Sequence, residues 1–441
     1  MDIKRYLPNK KVRRSDRLVL KEMHCQGKEK QSASNFSSTF PLGFFDTIPL
    51  ELRFNIFQFL SIEDLSMLMI TSKKMRNLAE AYRVTRFSGP HSIPFQKIHT
   101  VLAVEQQAKM LSLFHKLGRL VKRSTCLYAT KDRLNILNEF LTRVACCNTT
   151  CKDQPHCVAL LCYGKFLHTV IAGWDDSECQ RVYDSVCQHL CLLKMVKTVV
   201  SSRPGQHSEL ESRVRLFFRR IFLDPCNTIS DKAFWISRVL KPWPIVFQAR
   251  VLYILYTGHF SGGVIKWHEM SETTPHDIDN SSAFYGGLSS VLQILHLHSR
   301  EWSHDEIVCI IDELTSSPED WLLENVAGLL LSCGESITTK MLSSKAINGR
   351  YGELAGIIAY LCLVCVKYQF DLSQVMVVLE SVCSVIDSCK NKVTLLNRIL
   401  DFFKELIMDT HEFTESDDGN DTEFFYHVTA MTEFTKHLLQ L

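Results

Sequence analysis

The sequence predicts an all-α protein: a small three-helix module followed by a long helical array, of the irregular α-solenoid or helical-bundle type. Three observations carry this. From Ile98 onward nearly every segment places apolar residues at helical spacing, as in "LNILNEFLTRVACC" (Leu134 to Cys147), "ARVLYILY" (Ala249 to Tyr256) and "VTLLNRILDFFKELIM" (Val393 to Met408). Sustained period-2 alternation, the mark of half-buried strands, is absent. Pro and Gly, at Pro204-Gly205, Pro225, Pro242, Pro244, Gly262-Gly263 and Pro275, cut the body into roughly a dozen helices with short connections. No fixed repeat period is visible.

Taken in order, residues 1–40 hold ten Lys or Arg against four Asp or Glu, although the net charge of the 441-residue chain is only +2. The cluster "KKVRRSDR" and the polar stretch "KEKQSASNFSST" bury too little apolar area to offset the entropy of ordering, so a disordered basic tail is expected. Lys10, Lys11, Arg13 and Arg14 are the candidate nuclear import residues, against the plainer reading of a solvated charge run. The rest of the chain is slightly acidic. Nucleic-acid binding depends on clustered cations releasing counterions, so no direct nucleic-acid partner is expected.

Residues 41–86 form the small module. Pro49 suits a first helical turn, where its missing N–H costs nothing, and the helix it starts carries Leu52, Ile56, Phe59 and Leu60 on one face, widened by Phe57. Ser61-Ile62-Glu63-Asp64 reads as a second helix start, a hydroxyl cap with acidic residues in the first turn, and Ile62, Leu65, Leu68 and Met69 form its stripe. Ser72 is a third cap, leading into Met75, Leu78, Ala79 and Tyr82. So short a unit has more large apolar side chains than its own core needs. Either the body of the chain or another protein covers the surplus.

These residues resemble an F-box. Ile48-Pro49, Glu51-Leu52, Ile56-Phe57, Leu60 and Asp64-Leu65 match that motif in type and spacing, while Thr71, Ser72 and Met75 stand where Val, Cys and Trp are common. The chain also resembles one member of the F-box protein family over almost its full length, on "LPNKKVRRSDR", "AGWDDSECQRVY", "DKAFWISRVLKPWPIVFQARVLYIL", "DWLLEN" and "SKAINGR". The resemblance implies a non-catalytic adaptor of a cullin-1 type (SCF) ubiquitin ligase. In that reading Ile48, Pro49, Leu52, Ile56, Phe57, Leu60, Asp64, Leu65, Leu68, Met69 and Met75 hold a Skp1-type linker protein. The helical body, residues 98–441, then holds a client. A germline setting in meiotic prophase is further implied, and the alternative is a non-degradative scaffold in meiotic chromosome pairing or synapsis.

In the body, "FWISRVLKPWPIVF" is the densest aromatic and Pro cluster. It reads either as a rigid corner burying two tryptophans or as a client-binding edge with Trp235, Arg238 and Trp243 as anchors. Cys146, Cys147, Cys151, Cys157 and Cys162, with His156, lack the paired spacing of a structural zinc site, so no metal or other cofactor is expected. Cys362 and Cys365 lie inside an apolar helix and read as packing. The histidines at 296, 298 and 304 read as ordinary helix-face residues. Gly286-Gly287 lacks the strand, helix and Lys of a phosphate-cradling loop. Met1 to Asn9 lacks the apolar stretch of a secretory signal, so reduced thiols and a nuclear and cytoplasmic protein are expected. The longest apolar run, Leu354 to Val366, is too short for a membrane span and predicts a buried helix.

Overall fold

The computed structural model describes residues 42–83, 103–144, 158–257, 260–261, 264–275, 278–414 and 421–439. The basic tail, with Lys10, Lys11, Arg13 and Arg14, lies outside the described residues, as do His156 and all of the 146–162 cysteine run except Cys162. The described residues fall into two units. One takes those up to Ser61 and from Leu68 through the third helix, and the other takes Ile62–Met67 and everything from Ala103 onward.

The first unit begins with a 3₁₀ turn, Gly43–Thr47, and continues through α1 (Leu50–Gln58), α2 (Ile62–Thr71) and α3 (Lys73–Arg83), α2 being shared with the second unit. Pro49 is the residue before the helix rather than its first turn, with extended backbone (φ −51°, ψ 146°), and its carbonyl accepts from the Arg53 amide at 3.1 Å. Ser72 caps α3 as its hydroxyl predicts: Oγ accepts from the Met75 amide at 3.1 Å. Phe54 and Phe57 meet Tyr82 with ring centroids 5.7 and 5.5 Å apart, and Phe45 stacks on Phe57. These rings, with Leu78 and Ala79, fill the core between α1 and α3.

The second unit runs through α4 (Val104–Ser124), α5 (Thr130–Thr142), α6 (Ala159–Ile171), α7 (Asp176–His189), α8 (Leu192–Ser201) and α9 (Ser208–Phe217), which a π-helical turn continues through Phe218–Leu223. Then come α10 (Ile229–Leu240) and α11 (Ile245–Tyr256), a hairpin of two-residue strands, β1 (Phe260–Ser261) and β2 (Val264–Ile265), and the short α12 (Glu269–Glu272). The remainder is α13 (Ile278–His298), α14 (His304–Thr315), α15 (Leu323–Cys333), α16 (Glu335–Ile347), α17 (Tyr351–Lys367), α18 (Ser373–Ser384), α19 (Cys389–Thr414) and α20 (Asp421–Leu438).

These helices outnumber the dozen that Pro and Gly punctuation predicts, because several breaks use neither residue. Asp175 caps α7 by accepting from the Glu178 amide, and Cys191, in the left-handed region (φ 53°), divides α7 from α8. Packing is by alternate helices: α10, α13, α15, α17 and α19 form one row, and α14, α16 and α18 form another, with α20 closing on α17 and α19. A single hydrophobic core runs along the unit from Phe114 to Phe434. Stacking of this kind is that of a helical solenoid, in which each pair buries its neighbours. The predicted Leu354–Val366 helix is α17, and Cys362 and Cys365 are packed inside it; burial pushes both thiols up, Cys365 to about 12. No described helix is long and apolar enough to cross a membrane.

Candidate docking surface and the tryptophan corner

The approach to α1 is held by one arginine. Arg53 donates from Nε to the Ile48 carbonyl at 2.8 Å and pairs through Nη1 with Asp46 Oδ1 at 3.3 Å, while Asp46 Oδ2 accepts from the Leu42 amide at 2.9 Å. This network fixes the turn against the helix start. The helix is apolar on two sides. Phe54 and Phe57 point into the unit, whereas Leu52, Ile56 and Phe59, at i, i+4 and i+7, lie on the other side with 52%, 41% and 89% exposure. Leu50 and Phe44 add further exposed apolar surface beside the turn. Burial pushes the Tyr82 phenol up, as expected of a ring closed inside this core.

Of the residues expected at the linker contact, Leu52 and Ile56 are exposed apolar side chains, Pro49 and Asp64 are exposed, and Ile48, Leu60, Leu68 and Met75 are half-buried. Phe57, Leu65 and Met69 are corrected: all three are buried within the chain rather than exposed for contact. The reason is the 100° advance per residue, which turns Phe57 to the opposite side of α1 from Leu52 and Phe59. Leu65 belongs to Ile62–Met67, the half of α2 that groups with the second unit. There Glu63 pairs with Lys116 Nζ at 3.0 Å, Arg123 Nη1 donates to Ser66 Oγ at 2.7 Å, and Ile62 packs on the long core. Phe44, Leu50 and Phe59 are exposed apolar residues that the expected contact set did not include. Phe59 was legible from its place in the Leu52–Ile56 stripe; nothing local marks Phe44.

The Lys241-Pro242-Trp243-Pro244 segment joins α10 to α11. Trp235 is corrected: it is 3% exposed, packed on Phe222 and Phe234 with His168 beside it, and is part of the core rather than an anchor. Arg238 lies over Phe234 at 4.9 Å and pairs with Glu301 at 3.7 Å. Trp243 is half-buried, and its carbonyl accepts from Gln248 Nε2 at 2.7 Å; Gln248 Oε1 in turn accepts from Trp302 Nε1 at 2.9 Å. Lys241 sits over the Trp302 ring at 4.7 Å. The corner is therefore a brace between α10–α11 and the turn before α14. Among the described residues no group of three or more His, Cys, Asp or Glu is arranged to hold a metal ion.

A family model described as the F-box domain matches residues 45–87, and one described as FBXO47, ARM repeats matches residues 190–441. The chain is 35% identical over 446 residues to F-box only protein 47 of Homo sapiens, spanning 99% of this chain and 96% of that protein. It is 36% identical over 411 residues to F-box only protein 47 of Mus musculus, spanning 91% and 90%. No solved structure matches it.

Proposed function

Because the chain belongs to the F-box only protein 47 family, we propose that it is the substrate-recognition subunit of a cullin-1 type ubiquitin ligase, working in meiotic prophase of the germline. Its F-box holds a Skp1-type linker protein, and through it cullin-1, while the ARM-type helical array holds a client. The chain contributes no bond-making of its own. It raises the effective concentration of client near the ligase, which is enough to accelerate a transfer whose chemistry resides in the partners.

The observation that carries this reading is the exposed stripe Leu52, Ile56 and Phe59, on a helix whose opposite side already fills the core. A contiguous exposed apolar stripe of this kind marks a protein-interaction site. Each side chain buried there is worth about 1.5–3 kcal/mol, and two charges placed in the same interface add a desolvation penalty. The variant Leu52→Glu with Ile56→Glu is expected to weaken linker binding by about a thousandfold, since each 1.4 kcal/mol is a factor of ten. Its circular dichroism and client binding should not change, because both side chains face solvent in the free protein. Linker retained on co-purification would overturn the proposal. With the client captured, blocking cullin activation should raise its level; an unchanged level points instead to a non-degradative scaffold. Lys10, Lys11, Arg13 and Arg14 are proposed to direct import into the nucleus from a shared cytoplasmic pool, and alanine at all four should leave the protein cytoplasmic.

A further inference from the structure

Two histidines read in the sequence as ordinary helix-face residues are brought together by the turn between α13 and α14. His296 lies in the last turn of α13 and His304 is the first residue of α14, and their Nδ1 atoms stand 3.3 Å apart with ring centroids at 4.9 Å. Two imidazole nitrogens bound at 2.0–2.1 Å to one tetrahedral centre stand about 3.3 Å apart by simple geometry. The pair is half-buried at His296 and exposed at His304, so an ion can reach it.

We propose that His296 and His304 form a binding site for a borderline transition-metal dication, zinc in the first instance, with their Nδ1 atoms filling two coordination positions. Water, or a side chain of a bound protein, fills the rest. The second shell is in place: His296 Nε2 lies 2.9 Å from Ser336 Oγ on α16. A proton on Nε2 donated to that hydroxyl leaves the Nδ1 lone pair free for a metal. Without metal, one Nδ1 proton bridges the two rings; on binding, the His304 proton moves to its own Nε2 and the ion takes the bridging place.

The geometry is held from outside the pair. Trp302, buried between them in sequence, is anchored to Gln248, and Ser303 and Glu306 form a reciprocal capping box that fixes the first turn of α14. Asp305 and Glu306 in that turn offset the positive helix end, while Lys340 on α16 is a cation facing His296 and lowers affinity.

The test is zinc titration of the reduced, full-length chain against a chromophoric chelator, with Mg²⁺ as control. Other thiols and histidines count equally in every variant, so the difference reads the pair. His304→Gln and His296→Gln should each remove one zinc equivalent, with circular dichroism unchanged, and Ser336→Ala should weaken that equivalent without abolishing it. Equal zinc stoichiometry in the parent chain and both histidine variants overturns the proposal, as does an equivalent that Mg²⁺ displaces.

Discussion

Asn325 concentrates the polar accounting of the core in one side chain. It is fully buried, yet both donors and the oxygen are engaged: Oδ1 accepts from Tyr285 Oη at 2.7 Å, and Nδ2 donates to the Met270 and Thr273 carbonyls at 2.7 and 2.8 Å. Asn325→Leu keeps the volume but takes a partner from the Tyr285 hydroxyl and the Thr273 carbonyl, the Met270 carbonyl still accepting from the Leu322 amide, so a loss of about 2–3 kcal/mol is expected in denaturant unfolding; Tyr285→Phe, which removes one donor, should cost about 1 kcal/mol. His168 makes a different prediction. Burial holds its pKa down to about 4, so the folded chain keeps it neutral where the unfolded chain, with an ordinary value near 6.5, takes a proton. Stability is therefore complete above about pH 6.5 and declines as pH falls toward 4, by at most about 3 kcal/mol from this group. His115 and His427 are lowered by burial too and act in the same direction. His168→Phe should flatten the slope between pH 6.5 and 5 in thermal unfolding, whatever it does to the midpoint at neutral pH.

At the scale of the element, close helix packing depends on residues that have no side chain. On α6, a Cβ at Gly164 would run into the Arg220 carbonyl of the π-helical turn, which is backbone and cannot yield. Gly286, on α13, has open space where a Cβ would stand, although its neighbour Gly287 lies against the Tyr256 carbonyl. The Gly286-Gly287 pair is thus mid-helix, and its two members have opposite roles. Gly164→Ala should destabilise by about 2–3 kcal/mol through overpacking, whereas Gly286→Ala should stabilise by about 0.5–1 kcal/mol, because alanine is the better helix former. Thermal midpoints of the two variants, side by side, check both signs.

For the whole molecule, alternate-helix stacking makes stability local along the array, because each helix is buried by its neighbours in the row. The C-terminal end is closed by α20, whose Ala430 and Phe434 are buried, Phe434 against Phe403 of α19 at 5.7 Å. Truncation after residue 420 uncovers Phe403 and the facing side of α17. Amide protection is expected to fall first in α17 and α19 while α4 to α8 keep theirs, as read by hydrogen exchange. Equal loss throughout would mean that the array unfolds as one unit instead.

What the sequence by itself determined is the local part of this protein. Helical periodicity, the Ser72 cap and the helix start after Ile48-Pro49 are properties of neighbouring residues, so the all-α class and the three-helix module were legible without coordinates, whereas the sequence reading put Phe57 on the Leu52 stripe. Tertiary structure alone decided which apolar face turns inward. Leu52 and Phe57 are equally hydrophobic in the sequence, and only the arrival of Tyr82 and Phe45 makes Phe57 core and leaves Leu52 in solvent. The same holds for Trp235, enclosed by Phe222 and His168, and for His296 and His304, whose nitrogens meet only because Trp302 pins the turn between them. Long-range partners set burial and distance, and a residue type at a given spacing carries no record of what will pack against it.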